Sequence, residues 1–188
     1  MTTPRRRDAS ATRRALLEAG RKRFTRLGYE RTTLRDIAAD AGVNLALIKR
    51  YFGSKEGLLK AALEDQPRFG DEARDRTALA DALAHQLSRE AWPDFDEHPV
   101  LMLLRVSGDA QVDSLRRKAL LDFSHKVLQA TGAPADERLL EAQMVVALGV
   151  GIAVVRSAVG LQPLRDASAE ELRAPLTAIV DALLPEVD

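Results

Sequence analysis

Cysteine is absent from this 188-residue chain, which excludes disulfides, thiolate catalysis and cysteine-held zinc. Histidine is scarce. His85, His98 and His125 stand at no metal-ligand spacing, and no HExxH occurs. A dinucleotide loop is missing too, because Gly149-Val150-Gly151 has no third glycine and no preceding strand. Gly53-Ser54-Lys55-Glu56-Gly57 lacks the frame of a phosphate-binding P-loop. Asp94, Asp96 and Glu97 fall between proline-containing segments and read as a solvated loop, not as a carboxylate pair. The longest apolar run, Met144 to Val155, is 12 residues and is closed by Arg156, which suits a buried core helix better than a membrane span. MTTPRRRDAS carries charge without an apolar stretch, so a secretory leader is not expected. No alternating strand pattern exceeds a few residues. These absences leave an all-α protein, not an enzyme, with no cofactor, no metal and no membrane partner expected, soluble in the cytoplasm.

Net charge is also lacking, with 28 Lys and Arg against 28 Asp and Glu. Its distribution reverses the first impression. Residues 1–68 hold 16 basic against 8 acidic side chains, and the remainder holds 12 against 20. A basic third joined to an acidic remainder is the asymmetry expected when one part meets phosphate. Within the basic third, TTLRDIAADAGVNLALIKRYFGSKEGLL reads as two short helices broken by a turn, with a third close behind. Thr33 with Asp36 forms a capping box, and Leu34, Ile37, Ala38 and Ala41 make a stripe at helical spacing. Gly42 suits a left-handed stop, Val43 plugs the corner, and Asn44 is a good N-cap for a helix reaching Phe52. Ile48 and Phe52 face inward while Lys49, Arg50 and Tyr51 point out. That pattern is a helix-turn-helix with a basic second helix, the shape that enters a DNA major groove.

These residues make the segment resemble the DNA-binding domain of TetR family bacterial repressors. The resemblance starts with Leu16, Ala19, Phe24, Leu27 and Gly28-Tyr29, continues through Thr33, Ile37-Ala38 and Ala41-Gly42-Val43, and ends at Tyr51-Phe52, Ser54-Lys55-Glu56 and Leu58. It covers roughly residues 10 to 62. Leu47 and Lys49 depart from it, standing where a small hydroxyl residue and an aromatic are usual. The resemblance implies an N-terminal three-helix DNA-binding domain followed by a helical ligand-binding and dimerisation domain. It also implies that Lys55 anchors a phosphate at the start of the fourth helix.

Helices are expected near 10–27, 33–40, 44–52, 54–65, 74–90, 99–107, 111–131, 136–160 and 168–184. Residues 1–9 read as a flexible basic arm, 10–66 as the DNA-binding domain and 67–188 as the effector-binding and dimerisation domain. Gly132 and Pro134 stop one helix; Ser168 with Glu171 caps the last, where Pro175 marks either a kink or the true start.

The expected DNA contacts divide into positioning and reading residues. Thr33, Arg35, Tyr51 and Lys55 face phosphate, and Arg5, Arg6 and Arg7 either follow the backbone or enter the minor groove, or else serve as a solubilising tail. Leu45, Ala46, Lys49 and Arg50 face the groove, where Arg50, Lys49 and Arg35 can each donate to guanine and Leu45 can meet thymine methyls. Leu47 either joins them or packs inward, and Asn44 is a cap first. One helix reads few base pairs, so a homodimer on an inverted-repeat operator in double-stranded DNA follows. Val146, Gly149, Ala153, Leu176, Ile179, Val180 and Leu183 are either its interface or core. Trp92, Phe95, Met102, Arg105, Phe123, Met144 and Leu148 are either ordinary core or the walls of a small-molecule effector pocket. The competing expectations are a sequence-indifferent DNA-binding protein and, last, a helical enzyme.

Overall fold

In a computed structural model, residues 4–64, 75–88, 98, 100–105, 107–134 and 137–186 are described, the first five by their backbone alone. They form helices and connections, with no strand among the described residues. The chain divides into two compact units, one of Met1–Gln66 with Leu101–Arg116, the other of Pro67–Val100 with Arg117–Asp188.

In the first unit, α1 (Pro4–Leu27), α2 (Leu34–Asp40), α3 (Ala46–Phe52) and α4 (Lys55–Glu64) surround a core of Leu16, Phe24, Ile37, Ile48, Leu58 and Leu59, each at most 2% exposed. Burying each such side chain stabilises the unit by roughly 1.5–3 kcal/mol. Gly20 lets α1 approach α4, since a Cβ there would lie 3.1 Å from Leu58 Cδ2. The first helix begins at Pro4, so residues 4–9, expected as a flexible arm, wind into its opening turns.

A domain boundary at residue 66 also misses a second contribution to this unit. The segment Leu101–Arg116 includes most of α6 (Val100–Leu104) and the start of α7 (Ala110–Thr131). Arg105 Nη1 donates to the Arg26 carbonyl at the end of α1 at 3.0 Å. Arg116, only 6% exposed, donates from Nε to the Met102 carbonyl and from Nη1 to Asp113, both at 2.8 Å. Asp113 also accepts from the Ser107 backbone N–H and hydroxyl, and the Ser107 N–H is the main reason its pKa lies below the usual carboxylate value. The Arg105–Arg26 and Arg116–Met102 bonds join residues 79 and 14 apart in sequence and leave no periodic trace.

In the second unit, α5 (Arg76–Ser88) packs along α9 (Ala169–Leu183), and α8 (Leu139–Val154) packs on both. The cap expected at Ser168 is a full capping box with Glu171, so α9 starts there and Pro175 lies inside it. One face of α8 is buried through Ala142, Val145, Val146 and Gly149. Its opposite face is not: Leu140 is 68% and Met144 49% exposed, and the exposed Ala147 and Gly151 continue the stripe. The apolar run expected to be a buried core helix is therefore buried on one side, and 28% of the most apolar window in Leu139–Val159 is inside. By length and composition alone this helix could cross a membrane. Beyond α8 the chain widens into a π-helical turn, Val155–Val159, and stops at Gly160 with φ +66°.

Candidate nucleic-acid interface

The recognition helix owes its position to a sequence of local hydrogen bonds. Thr33 Oγ1 accepts from the Asp36 N–H at 3.2 Å and donates to the Asp36 carboxylate at 2.7 Å, closing the start of α2. Arg23 on α1 grips Asp40 with a fork, Nε to Oδ2 at 2.5 Å and Nη2 to Oδ1 at 2.8 Å. This bond is the main cause of the lowered Asp40 pKa. The pair is exposed, so salt screens it, and its value is geometric: it sets α2 against α1.

At the end of α2 the Gly42 N–H bonds the Ala39 carbonyl and the Val43 N–H the Ala38 carbonyl, both at 3.0 Å. That is a Schellman motif, and Gly42 adopts φ +64°, where a side chain would be strained. Asn44 Oδ1 then accepts from the Ala46 N–H at 2.8 Å, capping α3 one residue beyond its own neighbour. The helix begins at Ala46 instead of Asn44 for this reason.

Ile48 anchors α3 at 0% exposure, and Phe52 is half-buried beneath the Arg13 guanidinium, 5.2 Å from its ring centroid. Leu45, Ala46, Lys49 and Arg50 are left exposed on one face, with Arg35 exposed at the start of α2. Leu47 is half-buried, between the two placements open from sequence. Tyr51 is half-buried, edge-on to Phe52, and Arg50 lies over the Tyr51 ring at 6.0 Å.

The start of α4 is more crowded than its sequence suggests. Lys55 Nζ lies 4.0 Å from the Tyr29 ring centroid, and burial lowers its pKa against the pull of Glu30, Glu56 and Asp109. The Tyr29 hydroxyl donates to Glu56, while burial first and this bond second raise the tyrosine pKa. Glu56 is held below the ordinary value by Ser54 first and Tyr29 second. Ser54 Oγ caps the helix, accepting from the Gly57 N–H at 3.1 Å. Gly57 is a requirement that spacing did not reveal, because its Cα faces the Phe52 carbonyl at the end of α3.

Two family models cover this geometry. Residues 16–62 match the model for bacterial regulatory proteins of the tetR family, and residues 78–184 match that for a tetracyclin repressor-like C-terminal domain. The chain belongs to the TetR family. TetR family proteins are DNA-binding regulators of transcription, not enzymes.

A curated relative, the HTH-type transcriptional regulator BetI of Cronobacter sakazakii, is 32% identical over 111 residues, 59% of this chain and 50% of that protein. BetI of Burkholderia thailandensis is 31% identical over 87 residues, 45% of each chain. The chain spans about half the length of the curated relatives it matches. Among solved structures, a TetR family regulator from Streptomyces coelicolor superposes with TM-score 0.55 at 26% identity, covering 94% of this chain and 96% of its own. Salmonella enterica GusR shares the fold with TM-score 0.66 at 21% identity, over 92% and 95% of the two chains.

The residues expected around an effector pocket or a dimer interface differ in their surroundings. Met102 is buried and Arg105 is bonded to Arg26, both within the first unit. Met144 is exposed, not enclosed, because it lies on the unpartnered face of α8. Phe123 is buried in α7, and Trp92 and Phe95 lie outside the described residues. Leu148 does line a cleft, with Leu83, Leu87, Gly149, Leu176 and Ile179 among its neighbours, but the volume is about 10 Å³. That is room for about one water molecule. Of the expected interface, Val146, Gly149, Leu176 and Val180 are buried within the protomer, while Ala153, Ile179 and Leu183 are half-buried. Sequence reasoning passed over Arg116 and took Arg156 for the end of an apolar run. Both are buried. For Arg156 a signal existed, since it continues the inward spacing of Val145, Gly149 and Ile152.

Proposed function

We propose that this TetR family member is a homodimeric repressor that reads an inverted repeat and lets go of it when a small effector binds its C-terminal unit. The exposed face of α3 carries this reading: Leu45, Ala46, Lys49 and Arg50 stand out together above the anchored Ile48. Arg50 and Lys49, with Arg35 beside them, supply donors for guanine O6 and N7, and Leu45 supplies an apolar contact for a thymine methyl. Thr33, Tyr51 and Lys55 flank this face as phosphate contacts, while Asn44 keeps its capping role. TetR regulators act as dimers. The apolar stripe Leu140, Met144, Ala147 and Gly151 on α8 supports a two-fold pairing through that helix, with the half-buried Ala153, Ile179 and Leu183 still available to it. Such a regulator works in the cytoplasm.

Selection of bound fragments from random duplex DNA at moderate salt tests the function. An inverted repeat is the expected product; enrichment of no motif, despite binding, would favour a sequence-indifferent DNA-binding protein. Two substitutions divide the labour at the interface. Arg50→Ala should cost about 1–3 kcal/mol on the selected operator and much less on a scrambled duplex. Equal losses on both in a fluorescence anisotropy titration would move Arg50 from base reading to phosphate contact. Lys55→Ala should weaken all duplexes alike and reduce the slope of log K against log salt by about one. An unchanged slope would confine Lys55 to packing on Tyr29.

A further inference from the structure

Arg156 is a buried charge that neither operator reading nor dimerisation uses. It is 5% exposed and sits in the π-helical turn that ends the α8 region. Its Nη1 donates to the Leu164 carbonyl, but Nε is buried with no acceptor among the described residues. The acid that bears on it is Asp166, whose Oδ2 already accepts from Gln162 Nε2 at 2.6 Å. Arginine does not shed its proton in a protein, so the charge stays and an anion would relieve it. The unfilled Nε belongs to the side-on fork of the guanidinium, the edge that matches a carboxylate.

The surroundings give the rest of the ligand. Arg156 closes the inward stripe of α8, following Val145, Gly149 and Ile152 at spacings of four, three and four. Two turns back, about 10 Å along the helix axis, Gly149 and Leu148 line the cleft shared with Leu83, Leu87 and Leu176. The named walls of that cleft are apolar throughout. It is narrow, but Gly149 contributes no side chain to it, and the π turn that carries Arg156 is a winding that recurs at functional sites. Rewinding that turn would rotate Arg156 about the helix axis.

The geometry points to a binding site for an amphiphilic carboxylate, its head on the Nε edge of Arg156 and its alkyl chain between α5, α8 and α9. This assignment rests on the reading that the C-terminal unit binds a small effector, and it names that effector's class. The cleft opens to admit the chain, and the carboxylate replaces the acceptor that Nε lacks. Neither the exposed stripe of α8 nor the face of α3 takes part.

Isothermal titration of the full-length protein, without DNA, would compare decanoate, decan-1-ol and acetate. Decanoate should bind at least about tenfold more tightly than decan-1-ol, with acetate showing no saturable heat over the same range. Arg156→Gln should bring decanoate and decan-1-ol to equal affinity, and Gly149→Leu should weaken both by at least about tenfold. Equal affinities in the wild-type protein, or no binding of decanoate, would overturn the site. So would a decanoate preference that survives in Arg156→Gln. The wild-type comparison decides the matter even where a variant fails to fold. With no DNA in the cell, failure here leaves the operator reading standing, and failure to find an operator leaves this titration unchanged.

Discussion

A protein carrying Gly57→Ala is expected to lose its folded DNA-binding unit at temperatures where the wild type is intact. A methyl group built at Gly57 would lie 2.0 Å from the Phe52 carbonyl oxygen and 3.2 Å from the carbonyl carbon. No flexible side chain can yield at that contact, because the obstacle is backbone. The oxygen also accepts from the Ser54 N–H at 2.9 Å, so turning it away would open the link between α3 and α4. The alternative is to shift the start of α4, and Leu58 and Leu59, which follow at once, are 0% and 1% exposed. Overpacking commonly costs about 1–3 kcal/mol, and a rigid backbone obstacle belongs at or above the top of that range. For a unit of this size roughly 3 kcal/mol corresponds to a fall in melting temperature of more than about 10 °C. Circular dichroism on heating should show an early transition for part of the helix signal, and operator binding should disappear with it. A variant melting within about 2 °C of wild type would show that α4 has room to move and that the close approach does not matter.

The second large effect concerns the dimer. Met144→Glu combined with Ala147→Glu should convert the protein to monomers and lower operator affinity by at least about a hundredfold. One recognition helix then binds without the effective concentration its partner supplies. Both positions are exposed in the protomer, so the charges stay hydrated there and the fold of a single chain should survive. In a paired face the same carboxylates would be desolvated next to their symmetry copies, which is strongly unfavourable. Sedimentation velocity reads the oligomeric state, and a melt checks that the protomer is intact. A variant that remains dimeric would place the interface away from the Leu140–Met144–Ala147 stripe. The contrast with Gly149→Leu is informative. From the sequence, that substitution is a candidate for pushing two subunits apart; in the structure Gly149 faces α5 and α9 of its own chain, so it should affect the protomer first.

Legibility in this chain follows the range of the interaction. Caps and stops were readable because each is settled within four or five residues: Thr33 with Asp36, Gly42 after Ala41, and Ser168 with Glu171 all sit where their chemistry demanded. The exposed set on α3 was readable for a related reason. Once Ile48 faces inward, helical geometry sends Ala46, Lys49 and Arg50 elsewhere, and Leu45 is exposed just ahead of the helix. The Asn44 cap came through as well, though its Asx bond delays the helix start by a residue or two. Less legible were groups whose partners lie far along the chain. Arg105 looked like the polar member of a pocket, yet its guanidinium meets the carbonyl of Arg26, 79 residues away. Lys55 looked like a free phosphate anchor, whereas it rests on a ring 26 positions earlier.

By itself, the sequence determined that the protein is all-α, that its basic charge is gathered at one end and that this end holds a helix-turn-helix. Periodicity, capping and charge are local or additive properties, and a linear reading recovers them. Only the tertiary structure decided which apolar residues are core and which form an open face, because α8 is apolar on both sides and burial depends on what arrives from α5 and α9. The same holds for charge. Helical spacing from Val145, Gly149 and Ile152 turns Arg156 inward, but only enclosure by the returning segment around Leu164 leaves its Nε buried without an acceptor among the described residues.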